Sequence, residues 1–379
     1  MTKIYLIRHA EAEGNLYRRI HGVYNSGVTA RGLSQIDQLA ERFRNIPIDA
    51  VYASDLCRTQ TTAGAILKYH PLPLNIEPGL REVNMGCWED LPWGNAGYYH
   101  PEQMMYFASD PALWNIPGCE KYPDLQSRIT STLLRLSLQH QGETIACFSH
   151  GMAIRSFIAG VKGISSENIH EILHGDNTCV ALLNVENGSI DIEYYNDNSH
   201  LSSDLSTFAN QSWWRSKNSP DLANLRFEPM DIAADEKLYC SCYRDGWQAA
   251  HGTLSGYSSA PYLSAAQKIS AQEPLALMKV FSGEKFAGIV ELDPSRLAEQ
   301  GCGWISLLYL VPEMRGKGFG VQLLGHAVSF FRGKGRSAIR LHVAETNQNA
   351  LRFYKGAGFS SVDIIQGSLS PLLLLDKKI

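Results

Sequence analysis

Residues 3–15 read KIYLIRHAEAEGN: a five-residue run, KIYLI, rich in aliphatic and aromatic side chains, stops at Arg8-His9. A short apolar run ended by polar residues reads as a buried strand whose carboxyl end carries chemistry. DAVYASD (49–55) and TIACFSH (144–150) repeat the pattern. Helix-compatible stretches follow both, Arg58 to Lys68 and Met152 to Val161, and Leu33 to Phe43 sets its apolar side chains on one face. Such alternation predicts an α/β sheet that binds its ligand at the carboxyl edge. Arg8-His9, Ser54 to Arg58 and Ser149-His150-Gly151 are therefore expected to converge, although they lie far apart in the chain.

The remaining sequence bounds the answer. With 379 residues, 44% hydrophobic and 19% charged, the chain has material for two cores and is neither disordered nor collagen-like. Apolar runs such as Leu372 to Leu375 fall far short of the ~18 residues of a spanning helix. The first residues read as a strand, not a signal peptide, so a cytoplasmic protein with no membrane partner is expected. Residues 1–205 hold 15 Lys+Arg against 23 Asp+Glu, whereas residues 206–379 hold 19 against 15. The sign change fits two units with different electrostatic tasks, or drift between two surfaces. Neither half is basic enough for nucleic acid. Of eight cysteines only Cys240 and Cys242 are close, and no second ligand pair follows, so buried thiols in a reducing compartment and no structural metal are expected.

At the predicted sheet edge, two arginines and two histidines meet an acidic candidate, Glu82, from LREVNMGCWED (80–90). Arginines fork onto phosphate oxygens, and a histidine with a free ring nitrogen can attack phosphorus covalently. A carboxyl group can protonate the leaving oxygen and then deprotonate water. LIRHAEAEGN (6–15), SDLCRTQTTA (54–63), LREVNMGCWED, PGCEKYPDLQSR (117–128) and CFSHG (147–151) occur in one order. In that order they resemble the histidine phosphatase superfamily, phosphoglycerate-mutase-like branch, over about residues 1–205. The resemblance implies an α/β sandwich with His9 as the nucleophile that becomes phosphohistidine. It also implies a phosphoryl clamp of Arg8, Arg58 and His150 with Asn15 as a further donor, Glu82 as general acid and then base, and no metal. Ala10 stands where the family usually has glycine. The short 80–90 block resembles the phosphatase members, which favours hydrolysis of a phosphorylated small molecule over mutase activity. Residues 91–117, rich in Trp, Tyr, Met and Phe, read both as a lid that sets substrate choice and as a small helical subdomain with its own core.

Residues 206–223 are rich in Ser and Asn and read as a linker, in which Trp213 and Trp214 are expected to pack between the halves. Beyond it, Leu275 to Phe281 and Phe286 to Leu292 form a hairpin pattern around Ser-Gly-Glu-Lys. GWISLLYLVPEMRGKGFGVQLLGHAVSFF (303–331) then gives a strand, a glycine-rich turn and an amphipathic helix. Backbone N–H groups of such a turn at a helix N-terminus suit a pyrophosphate. With LHVAETNQNALRFYKGAGF (341–359), this segment resembles the GCN5-related N-acetyltransferase (GNAT) family over about residues 224–379. That resemblance implies an α+β domain with a mixed, mostly antiparallel sheet, and acetyl-CoA as cofactor. The CoA pyrophosphate would be cradled around Arg315, Gly316, Lys317, Gly318, Phe319 and Gly320. Leu308 to Leu310 would form a splayed strand against the pantetheine arm. Asn347 and Asn349 would contact that arm or cap the next helix. Tyr354 falls where the family often has the acid that protonates the departing thiolate, the alternative being a core aromatic beside Phe353 and Phe359. Glu291 is one candidate for the base toward an acetyl-acceptor amine, and solvent is the other. Three readings remain open: a fused phosphatase–acetyltransferase, a phosphatase controlled by an acyl-CoA-sensing module, and a mutase with an accessory domain. An edge strand of the second unit is a candidate for pairing copies into a homo-oligomer.

Overall fold

The computed structural model describes residues 1–210 and 223–379, so Trp213 and Trp214 lie outside the described residues. The chain divides into two compact units, Met1–Ser219 and Pro220–Ile379.

In the first unit, strands β1 (Thr2–Arg8), β2 (Ala50–Ala53), β3 (Leu74–Ile76), β4 (Thr144–Ser149), β5 (Val180–Glu186) and β6 (Ser189–Asp197) form one sheet in the order β3-β2-β4-β1-β5-β6. The pairs β1–β4, β2–β4 and β2–β3 are parallel, whereas β5 and β6 add antiparallel. Parallel strands covered on both faces need apolar side chains all round. Ile4, Leu6 and Cys147 accordingly enter one buried cluster with the Tyr122–Gln139 and Gly151–Val161 helices. Ile7, Ala146 and Phe148 enter another, with the Ala30–Phe43 and Cys57–Leu67 helices. Register sets Arg8 beside Ser149 and Ala53 beside Phe148, so the carboxyl ends of three parallel strands share one edge. The aromatic segment after residue 90 folds into the helices Trp93–Tyr99 and Pro101–Ser109. It packs Trp88, Ala96, Phe107 and Trp114 into a third cluster with Met85, Met152 and Ala153.

In the second unit, seven strands run β12-β13-β11-β10-β9-β8-β7: β7 (Leu225–Pro229), β8 (Leu277–Ser282), β9 (Lys285–Asp293), β10 (Cys302–Leu310), β11 (Ala338–Ala344), β12 (Ser360–Gln366) and β13 (Pro371–Lys378). Only β10–β11 is parallel, so the sheet is mixed and mostly antiparallel, as expected. That pairing covers just Cys302–Trp304 against Ala338–Arg340. A bulge at Ser306 then shifts the register of β10 on β9, and β11 continues on β13 alone. The far half of β10 therefore keeps an edge unpaired by strand among the described residues.

Candidate functional site

His9 follows the last residue of β1, is 6% exposed, and donates from Nδ1 to the Ala10 carbonyl at 2.7 Å. A carbonyl only accepts, so Nδ1 carries the proton and Nε2 keeps its lone pair. Burial holds the ring well below the ordinary histidine value, and the Arg58 and Arg8 guanidinium groups push it further down. His9 is thus a neutral imidazole with a bare nitrogen.

His150 caps the Gly151–Val161 helix, with its ring 5.2 Å from that of His9. Ser54, just past β2, bonds to its Nε2 at 2.8 Å, and Nδ1 is buried with no partner among the described residues. Burial and then Arg58 depress its basicity as well. Arg8 gives one terminal nitrogen to the Gly175 carbonyl, and its Nε is also buried and unpartnered. Arg58, in the first turn of the Cys57–Leu67 helix, is 1% exposed and donates to the carbonyls of Tyr24 (2.9 Å) and Gly22 (2.6 Å). Among the described residues no carboxylate is hydrogen-bonded to it, and burial lowers it to about 10 against the opposing pull of Glu82 and Glu89. Two guanidinium groups and two neutral imidazoles facing one another suit a bound anion.

Glu82 accepts from the backbone N–H groups of Val83 (3.0 Å), Met152 (3.0 Å) and Ala153 (2.8 Å). It therefore sits against the first turn of the helix that follows His150. Asn15 uses Oδ1 to accept from Ala12 N at 3.0 Å, and that oxygen lies 3.5 Å from Asn177 Nδ2. The structure thus gathers His9, His150, Arg8, Arg58 and Glu82, with Asn15 behind His9. Sequence reasoning placed Ser54 at this edge without a role and passed over two other contributors. Ser54 orients His150. Asn177 donates to the His9 carbonyl at 2.9 Å. The 21–24 loop supplies carbonyls to Arg58 and is itself held by Glu89, which accepts from Gly22, Val23, Tyr24 and Met85. Only Ser54 carried a signal, since it ends a strand beside the Arg58 motif.

In the second unit, Leu308 and Leu310 are half-buried on the free stretch of β10, and the 315–320 turn follows. Gly316 (φ +72°) and Gly318 (φ +83°) occupy the left-handed region and face open space. Gly320 starts the Gly320–Gly333 helix with the Phe353 ring 3.0 Å from where a Cβ would stand. Arg315 donates from Nε to the Leu310 carbonyl at 2.8 Å and pairs with Asp245, which anchors the turn to β10. Lys317 is exposed and Phe319 half-buried. Asn347 caps the Gln348–Gly356 helix by accepting from Ala350 N, and Asn349 accepts from Arg352. Tyr354 packs edge-on against Phe353 and Phe359, and burial raises its phenol. Glu291 is 2% exposed on β9. Its Oε2 accepts from Tyr239 (2.9 Å) and Tyr243 (2.7 Å), and burial raises it to about 7.

Comparison with known proteins agrees with both halves. The family model for the histidine phosphatase superfamily (branch 1) matches residues 4–198, and that for the acetyltransferase (GNAT) family matches residues 236–359. A metal-independent phosphoserine phosphatase of Arabidopsis thaliana is 32% identical over 207 residues, which cover 54% of this chain and 84% of that protein. A probable phosphoglycerate mutase GpmB of Enterobacter sp. (strain 638) is 31% identical over 164 residues, 43% of this chain and 76% of that one. The solved structure of Bacillus stearothermophilus YhfR superposes with a TM-score of 0.51 at 26% identity, over 53% of this chain and 99% of its own. The chain belongs to the histidine phosphatase superfamily, and it carries a GNAT-family acetyltransferase domain behind the phosphatase domain.

Proposed function

We propose that the first unit hydrolyses phosphomonoesters through a phosphohistidine on His9, and that the second transfers an acetyl group from acetyl-CoA to a small-molecule amine. The two family assignments support phosphatase and acetyltransferase activity in one chain. The observation that carries the phosphatase reading is the His9 tautomer, with Nδ1 bound to Ala10 and Nε2 free among buried cations.

The chemistry is written in two displacements. His9 Nε2 bonds to phosphorus as the P–O bond to the leaving group breaks, and Glu82 gives that oxygen its proton. Water then attacks phosphorus, the N–P bond breaks, and Glu82 takes the proton back. Arg8 and Arg58 offset the phosphoryl charge. Binding of that charge counters the depression of His150, so its ring takes up a proton and Nδ1 donates to a phosphoryl oxygen. No step requires a metal, in line with the name of the Arabidopsis relative.

The second unit fits acetyl-CoA on two counts: an unpaired stretch of β10 for an amide-bearing arm, and an open left-handed turn at a helix N-terminus for a pyrophosphate. Bound there, the cofactor supplies an activated thioester. Residues 315–320 would hold its phosphates and Leu308 to Leu310 its arm. Tyr354, kept protonated by burial, would hold the proton destined for sulfur. Glu291 would be one candidate to accept the amine proton, with solvent the other.

The test is inorganic phosphate release from a panel of phosphorylated metabolites that includes phosphoserine, with the intact protein and His9→Ala. The expected result is release by the first and a loss of at least about 10³-fold in the second. Transfer of phosphate between positions of one substrate, with little free phosphate, would establish the mutase reading instead.

A further inference from the structure

The stretch that the sequence offers as the start of a linker is bonded into the segments that carry His9. The Ala10–Glu11 peptide plane is gripped from both sides: its carbonyl accepts from His9 Nδ1 and its N–H donates to Gln35 Oε1 at 2.7 Å. Gln35 is fully buried on the Ala30–Phe43 helix. The other end of its amide donates to the Leu205 carbonyl (2.8 Å) and to Thr207 Oγ1 (3.0 Å). Thr207, 1% exposed, donates a long hydrogen bond of 3.4 Å from Oγ1 to Glu11 Oε2. Ser206 donates to Asp176, whose carboxylate also accepts from Asn177 N, and Asn177 Nδ2 donates to the His9 carbonyl. Thr178 N is the second donor to that carbonyl, from a left-handed conformation (φ +60°) that a β-branched residue adopts only under constraint. Its hydroxyl is fixed in turn by His200.

We propose that Ser206 and Thr207 are positioning residues for phosphoryl transfer: through Gln35 and Asp176 they fix the peptide plane and the carbonyl that set the ring of His9. The inference rests on His9 being the nucleophile. Buried polar groups that lose one partner rearrange to find another, so release of residues 205–207 lets Gln35 turn and frees the plane under the imidazole. The chain that leaves for the second unit departs from this clamp.

Thr207→Val removes the hydroxyl at nearly constant shape, and Thr207→Ser restores it. In the full chain, with p-nitrophenyl phosphate as substrate, Thr207→Val is expected to lower kcat by about 10-fold or more, as small misplacements do, with KM within about twofold. A second readout separates positioning from stability. The charges acting on His9 are those of Arg58, Arg8, His21 and His150. A loosened ring gains water, its basicity rises, and the acid limb of kcat/KM moves to higher pH in Thr207→Val and returns in Thr207→Ser. An unchanged kcat and acid limb in Thr207→Val overturns the proposal. So does a kcat loss tracked only by a lower Tm, with the acid limb in place. Full activity in His9→Ala, by contrast, would remove the phosphohistidine reading itself.

Discussion

Single side chains decide the chemistry through their protonation. On the proposed mechanism His9 must be neutral to attack, and burial and Arg58 hold it well below the ordinary 6.5, so kcat/KM is expected to hold past the pH at which a free histidine protonates and to fall only at lower pH. Replacing Arg58 by Gln removes one of the charges that depress His9. The acid limb should then move to higher pH while kcat drops by about 10²-fold or more, and a limb that stays put would show that Arg58 is not felt by His9. His150 gives a complementary readout. Because Nδ1 is buried with no partner among the described residues, titration with vanadate at pH 7.5 should take up close to one proton. Calorimetry in two buffers of different ionisation enthalpy measures it, and His150→Asn should abolish it.

Among strands and helices, what the sequence disclosed is what is local. The runs ending at Arg8, Ser54 and Ser149 show strands β1, β2 and β4, because a buried parallel strand must be apolar and its polar end is conspicuous. The 277–293 hairpin and the 315–320 turn are equally local. The antiparallel additions β5 and β6 were not read, since nothing within VALLNVE states which neighbour it pairs with. The clamp on Gln35 was hidden for the same reason: one glutamine on a helix face meets Glu11, Leu205 and Thr207 only after folding. Tyr239 and Tyr243 stand four apart on the Glu236–His251 helix, which places both on one face, yet their shared partner Glu291 lies on β9 and was not read from the sequence. The glycine turn carries its own prediction. At φ +83°, Gly318 adopts a conformation that a side chain resists by about 1 kcal/mol or more. Gly318→Ala should weaken acetyl-CoA binding at least about 10-fold by calorimetry and leave phosphate release unchanged. Unchanged CoA affinity would remove the turn from the cofactor site.

Across the molecule, the two units are expected to respond to acid in opposite directions. The first buries histidines in the neutral form: burial lowers His200 to about 4 and His174 to about 3, and His9 and His150 are depressed too. Each binds a proton more readily in the unfolded chain. Its contribution is therefore complete above pH 6.5 and is lost as pH falls below that value toward the folded one. In the second unit the dominant buried acid, Glu291, is raised to about 7 from an ordinary 4.5. Here the folded state binds the proton more tightly, so the contribution is complete below pH 4.5 and is lost as pH rises through 7. A difference of that size is worth about 3 kcal/mol. His251 and His342, lowered but partly solvated, oppose it weakly. Differential scanning calorimetry of the full chain between pH 7.5 and 5.5 should therefore show one transition falling and the other holding or rising. Vanadate identifies the first unit's transition and acetyl-CoA the second's, because each ligand raises only the transition of the unit it binds. Glu291→Gln, which cannot ionise, should raise the second transition at pH 7.5 and flatten its pH dependence while the first remains as it was. If both transitions fell together on acidification, or if Glu291→Gln left the second slope unchanged, the carboxyl between the two tyrosines would not be the group that sets the second unit's response.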